Sequence, residues 1–177
     1  TRIESSAASD VYKRQANELA SGVVSIHGTQ TAFAALKSDG SVVTWGSSSD
    51  EEMLQLNYGG DSSAVATELT SGVTKIVSTP TSFLALKSDG STVLWGQHEW
   101  GSTGAGNCPT YADVSQQLTN VVDVFANYVA YGAITATGDL ITWGGYWDEC
   151  EGGDSSAITV SFSNVQTIYS NDQAFAA

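Results

Sequence analysis

The side chains hardest to explain as packing sit late in the sequence: Trp100, Tyr146, Trp147, Asp148 and Glu149. Indole and phenol faces stack on apolar or sugar surfaces, and neighbouring carboxylates accept hydrogen bonds. The set therefore reads as a binding surface. Reaction chemistry finds less support. Asp39 and Asp89 fall at Asp-Gly turns, and Asp139 lies one place past a turn. General acid–base work needs two carboxyls in one cleft, and turn tips on successive units lie too far apart for that. His27 and His98 have no matching Ser or Cys motif, so a nucleophilic triad is unsupported. The string from Gly101 to Gly106 lacks the Lys-Ser/Thr of a phosphate loop. The acid runs Asp50-Glu51-Glu52 and Asp148-Glu149-Cys150-Glu151 match no calcium-loop spacing and read as solvated charge. Cys108 and Cys150 form no Cys-x-x-Cys and have no His near them, so free thiols are favoured over zinc or a bridge. The sequence therefore assigns no catalytic residue, no metal and no cofactor, and the chain is expected not to be an enzyme.

Charge narrows the partners. The 177 residues carry a net charge of −13, with only six Lys and Arg. Beyond residue 14, three lysines (Lys37, Lys75 and Lys87) face seventeen acids. Phosphate backbones and anionic membranes need clustered cations, so nucleic acid and membrane are not expected as partners. No apolar run approaches the ~20 residues needed to cross a bilayer. The compartment is not fixed; a cytoplasmic one is favoured, with secretion open.

The elements that must position any site come from a repeat. Ala35-Leu36-Lys37-Ser38-Asp39-Gly40-Ser41-Val42-Val43-Thr44-Trp45-Gly46 returns at Ala85 to Gly96, and more worn at Ala133 to Gly144. The Trp45, Trp95 and Trp143 positions step by 50 and then 48 residues. A fixed step of that size marks one supersecondary unit copied and stacked. Trp45, Trp95 and Trp143 are then expected to be wedges between units, and Gly40, Gly90 and Gly138 to be turn glycines.

Within each copy, an alternating segment such as Ser71 to Ile76 predicts a strand leaving a turn. The Asp-Gly pairs then predict hairpins with two-residue type I′ loops. That loop length pairs Leu86 with Val93 and Leu84 with Trp95. One hairpin face would carry Leu84, Leu86, Val93 and Trp95, and the other Phe83, Ala85 and Leu94. Both faces are apolar, so the sheet must be sandwiched between two others. The stretches Val65 to Leu69, Asn107 to Leu118 and Ile158 to Phe162 are read as a fourth strand.

The expected fold is all-β, a partial β-propeller with three complete four-stranded antiparallel blades plus the start of a fourth. The blades run over about 21–70, 71–118 and 119–162, with 163–177 incomplete. Residues 1–20 are read as a tail outside the repeat, flexible or weakly helical. Their Ser5 to Gln15 portion resembles a translated adapter tag. Phe175-Ala176-Ala177 aligns with Phe33-Ala34-Ala35, so a piece of a longer protein is expected. The competing reading is a short protein that closes its ring by oligomerising.

The pattern Ala-Leu-x-x-Asp-Gly-x-Val-x-x-Trp-Gly resembles the regulator-of-chromosome-condensation repeat family. The resemblance covers Gly22 to Ala177 and is sharpest at Ala35 to Gly46 and Ala85 to Gly96. The family's Gly-Gly-x-His is missing, as Thr29 to Ala32 and Thr79 to Ser82 show, and so is its Gly-Gln-Leu-Gly after Trp-Gly. The resemblance implies a propeller and, through relatives that dock proteins, a protein-binding module. Carbohydrate binding through Trp100, Tyr146 and Trp147 is the alternative, and small-GTPase exchange activity, as in some relatives, is a further one. No exchange residue maps onto this chain.

Overall fold

β-Branched residues behind Ser-Gly or Thr-Asn start each unit, and the chain extends there. The structure is a computed structural model that describes residues 16–46, 57–97, 109–145, 165 and 168–176. The first sheet holds β1 (Val23–Gly28), β2 (Ala32–Lys37) and β3 (Val42–Gly46). The second holds β4 (Val73–Ser78), β5 (Ser82–Lys87) and β6 (Thr92–Gly96). The third holds β7 (Val121–Ala126), β8 (Ala130–Thr135) and β9 (Leu140–Gly144). A short ribbon of β10 (Tyr169–Ser170) and β11 (Phe175–Ala176) begins a fourth. All pairings are antiparallel meanders. The leading strands β1, β4 and β7 lie against one another. The Ser78 hydroxyl donates to the Gly28 carbonyl, and Lys75 meets Asp123 at 2.6 Å, so these strands line the inner side of the stack. This is the arc of a β-propeller.

The hairpin register differs from expectation by one residue. Leu86 pairs with Thr92, Leu84 with Leu94, and Phe83 with Trp95. The loop has three residues, Ser88-Asp89-Gly90, closed by Gly90 N–H to Lys87 O and Lys87 N–H to Ser91 O. A type I′ turn needs positive φ at two residues, but only Gly90 has it here, at φ 79°. A type I turn followed by a left-handed glycine satisfies the same Asp-Gly pair. The Asp89 carboxylate accepts from the Ser91 amide and hydroxyl, which holds that turn and keeps the acid below its usual range. Asp39 and Ser41 repeat the arrangement, and Gly40 and Gly138 have φ 79° and 84°.

The corrected register changes which side chains share a face, while both faces remain apolar. Phe83, Ala85, Val93 and Trp95 pack against Ala32, Ala34 and Leu36 of the first sheet. Leu84, Leu86 and Leu94 pack against Val121, Val124, Tyr131 and Trp143 of the third. The aromatic pair stacks across each sheet, with ring centroids 5.4 Å apart for Phe33–Trp45, 5.2 Å for Phe83–Trp95 and 5.8 Å for Tyr131–Trp143. Trp95 and Trp143 are buried, and Trp45 is half-buried. Each leading strand also carries a β-bulge at the same place, so Val24 and Val122 turn outward and stay 65% and 57% exposed.

The fourth strand is not found: among the described residues each blade sheet has three strands. Ser63–Val65 forms a 3-10 turn that continues to Leu69, whose amide donates to Val65 O. Val65 and Leu69 are four apart, so one helical face turns both toward the core between the first two sheets. In the next unit, α1 (Tyr111–Val114) fills the corresponding gap, capped by Thr110 and Asp113 in a capping box. Ile158 to Phe162 lies outside the described residues. Two lysines clamp such turns: Lys87 donates to Glu68 O, and Lys37 to Glu18 O.

The sheet stack makes Phe83 a keystone, since it is fully buried between two sheets. Phe83→Ala is expected to cost about 3–5 kcal/mol in urea unfolding. The equivalent Phe33→Ala, at a face with no described sheet before it, is expected to cost clearly less, about 1 kcal/mol. Equal losses would contradict the stacking described here.

Candidate functional site

Each leading strand ends in a turn that returns to the middle strand, and the four turns meet at one mouth of the arc. They bring together Gly28-Thr29-Gln30, Ser78-Thr79-Pro80, Ala126-Asn127-Tyr128 and Ser170-Asn171-Asp172 around a cleft of about 520 Å³. Hydrogen bonds knit neighbouring turns: Gln30 N–H donates to Pro80 O, and the Ser170 hydroxyl donates to Ala126 O.

One position holds every turn. The Thr29 hydroxyl accepts from Ala32 N–H, and the Thr79 hydroxyl from the amides of Thr81 and Ser82. Asn127 Oδ1 accepts from Val129 and Ala130, and Asn171 Oδ1 from Gln173 and Ala174. A short polar side chain that caps the amides two or three residues ahead stabilises such a turn. The next residue is free of that duty. It is Gln30, Pro80, Tyr128 or Asp172 in successive copies. Tyr128 stands 53% exposed at the rim.

A buried polar link underlies the mouth. The Tyr131 hydroxyl lies 2.8 Å from Ser82 Oγ and also meets Thr79 Oγ1, joining the third sheet to the second. Burial away from water pushes this phenol up to about 12, against the opposing pull of those two hydroxyls. Asn127 Nδ2, in the next turn, is buried and has no hydrogen-bond partner among the described residues. On the inner side of the arc, His27 is half-buried beside Ser25, and burial lowers its pKa, which favours the neutral ring.

The described lysines lie away from this mouth and serve the structure, and the charge on the cleft is negative. Lys75 pairs with Asp123, while Lys37 and Lys87 bind carbonyls. Lys75 and Asp123 are 43% and 46% exposed, so water screens their attraction and its net contribution is small. Asp172 is an exposed carboxylate on the cleft. Among the described residues no three His, Cys, Asp or Glu side chains converge as a metal site. No described helix is long and apolar enough to cross a membrane.

The residues expected to bind, Trp100, Tyr146, Trp147, Asp148 and Glu149, lie outside the described residues. So do Asp50, Glu51, Glu52, His98, Cys108 and Cys150. Asp39 and Asp89 each close their own turn, and neither lines this cleft. The axial mouth was missed in the sequence. Its one signal is the recurring Thr or Asn three residues before the middle strand, followed by an unrelated residue.

No protein-family model matches this chain. No curated protein matches it either. Solved structures do match. Yeast RCC1 (Prp20), crystallised with Kap60, superposes with a TM-score of 0.51 at 16% identity, over 84% of this chain and 38% of that one. That likeness shows the fold. The arc is similar in fold to part of that propeller. The ectodomain of the Physcomitrella patens receptor kinase CR4 matches with a TM-score of 0.45 at 15% identity, over 85% of this chain and 34% of that one. Prp20p from Saccharomyces cerevisiae matches with a TM-score of 0.42 at 17% identity, over 69% of this chain and 30% of that one. This chain thus spans about a third of the length of the propellers it resembles.

The Tyr131 link generates a pH prediction. Its phenol loses a proton near 10 when unfolded and near 12 when folded, so the unfolded state sheds the proton first. The stabilisation is complete below pH 10 and is lost as pH rises toward 12. Tyr131→Phe is expected to lower stability at pH 7 by about 1 kcal/mol through the lost hydrogen bonds. It is also expected to flatten the alkaline decline between pH 10 and 12 measured by thermal unfolding. An unchanged alkaline slope would contradict the buried assignment.

Proposed function

We propose that this chain is a protein-binding β-propeller module, an interaction scaffold rather than an enzyme, and that its partner docks at the axial mouth. The observation that carries this reading is a division of labour within four turns. Thr29, Thr79, Asn127 and Asn171 do the same structural work, while Gln30, Pro80, Tyr128 and Asp172 differ and line the cleft. Repetition explains the first set as scaffold. It leaves the second set free for recognition, on a rigid base supplied by the sheets.

The mouth suits a polypeptide. Its walls are hydroxyls, amides and carbonyls with one exposed phenol, and small-molecule pockets are more apolar and enclosed. Tyr128 offers the anchor, since tyrosine presents a large rigid surface and a polar tip at little entropic cost. The carboxylate of Asp172 and the overall charge of −13 favour a partner with basic residues. The solved structure of similar fold is one of Kap60 bound to yeast RCC1 (Prp20), a protein with a protein partner, which supports a protein as the class of partner. Trp100, Tyr146, Trp147, Asp148 and Glu149 remain the candidates for a second contact region on the connectors.

The test is affinity capture with the chain, followed by titration of the recovered partner. Tyr128→Ala is expected to weaken binding by about thirtyfold, the size of a buried aromatic anchor. Raising salt from about 0.05 to 0.5 M is expected to slow association. If Trp100→Ala and Trp147→Ala abolish binding while Tyr128→Ala leaves it intact, recognition belongs to the connectors and the axial reading fails. A signal confined to a glycan array would place the chain with carbohydrate binders.

A further inference from the structure

The carboxylates of this chain are almost all committed to its own turns. Asp39, Asp61, Asp89 and Asp113 accept from neighbouring turn or cap groups. Asp123 meets Lys75, and Asp139 accepts from the Thr137 hydroxyl. Asp172 differs from every other described aspartate: it lines the axial cleft, and no described group bonds its carboxylate. Tyr128 is the parallel case among the phenols. Tyr111 binds Thr92 and Tyr131 binds Ser82, whereas no described group bonds the Tyr128 hydroxyl.

The fold makes these two uncommitted side chains neighbours. Gly28, Ser78, Ala126 and Ser170 are equivalent, since each ends a leading strand opposite the ring of its middle strand. The Ser78 hydroxyl donates to Gly28 O, and the Ser170 hydroxyl repeats that contact on Ala126 O. The first and second turns therefore abut as the third and fourth do. In the first pair, the residues two places further on touch, Gln30 N–H donating to Pro80 O at 2.8 Å. Tyr128 and Asp172 are the corresponding two residues of the second pair, and both line the same cleft. They sit on turns at the mouth and not on a sheet face. Tyr128 is exposed even though its own sheet has described strands on either side.

An aromatic ring beside an unpaired carboxylate has one well-matched guest. A guanidinium is flat, so it stacks on a phenol ring, and its forked N–H groups donate in pairs to a carboxylate at its edge. A lysine ammonium is a compact, strongly hydrated point charge and gains less from the ring. The described lysines are engaged elsewhere, on Asp123 and on the carbonyls of Glu18 and Glu68, so the cation must come from outside these residues.

We propose that Tyr128 and Asp172 form an arginine-binding site, taking one arginine side chain of the docked polypeptide with its guanidinium stacked on the Tyr128 ring and forked onto Asp172. The site rests on the axial-mouth reading and makes it specific, because it names the residue by which the partner is held.

The direct test titrates the isotope-labelled full chain with acetyl-arginine methylamide and, separately, with acetyl-lysine methylamide, followed by nuclear magnetic resonance. Saturable shifts confined to residues 126–128 and 170–172 are expected for the arginine compound, with a Kd of about 1–10 mM. The lysine compound is expected to bind at least about threefold more weakly. Tyr128→Ala and Asp172→Asn are each expected to remove saturation, and Tyr128→Phe, which keeps the ring face, to retain it. Both positions are exposed, so the remaining resonances should stay in place. No saturable shift at these turns, an equal response to lysine, or unchanged binding by Asp172→Asn would overturn the proposal. The captured partner separates this failure from that of the wider reading. Loss of its binding in Tyr128→Ala with none in Asp172→Asn would refute the arginine site and leave the axial mouth standing. Indifference to both variants would refute the two together.

Discussion

An aromatic pair pressed onto alanines holds this structure together. Phe83 and Trp95 stack on one face of their sheet, and the close approach of the previous sheet is possible only because Ala32 and Ala34 stand there. Bulk on one side and its absence on the other set the spacing between sheets, since interiors tolerate neither voids nor overlap. The third sheet solves the same problem differently. Gly132 replaces the small alanine because the Phe125 ring fills the space a Cβ would need, leaving only 2.0 Å. Short connectors then wedge the outer gaps, with Leu69 in one and Val114 and Leu118 in the next.

Much of this order is written in the sequence. The Trp-Gly period, the Asp-Gly turns and the doubly apolar hairpins lead directly to stacked antiparallel sheets. The register does not follow from the turn residues alone, because Asp-Gly serves both two-residue and three-residue loops. A better guide was present: Phe33, Phe83 and Tyr131 each precede their tryptophan by twelve residues. Pairing the two aromatics across the strands fixes the loop at three. The presumed fourth strand failed for a similar reason. Val65, Thr67 and Leu69 alternate, but Val65 and Leu69 are also one helical turn apart, and only the gap between sheets decides which period wins.

The axial mouth was illegible for a deeper reason. Its four turns are nearly fifty residues apart in sequence, and each looks like an ordinary polar connection. Only the fan of the sheets brings Gln30, Pro80, Tyr128 and Asp172 to one rim. The buried Tyr131 hydroxyl is similar, because Phe33 and Phe83 show that the position needs a ring and not an oxygen. Its partners Thr79 and Ser82 belong to another copy, so the link is visible only once neighbouring copies are placed together.

The hairpin tips, at the mouth opposite the variable turns, carry a different kind of joint. The Gly40 carbonyl accepts the Val73 amide, and the Gly90 carbonyl accepts the Val121 amide. A methyl group at either glycine would sit 2.7 or 2.9 Å from the next copy's backbone. These clasps are made of main chain, so almost any side chain can be exchanged nearby without letting one copy slide along another. Mutational drift is thereby channelled: one rim of the arc is locked by peptide groups, and the other is at liberty to acquire new specificities one turn at a time.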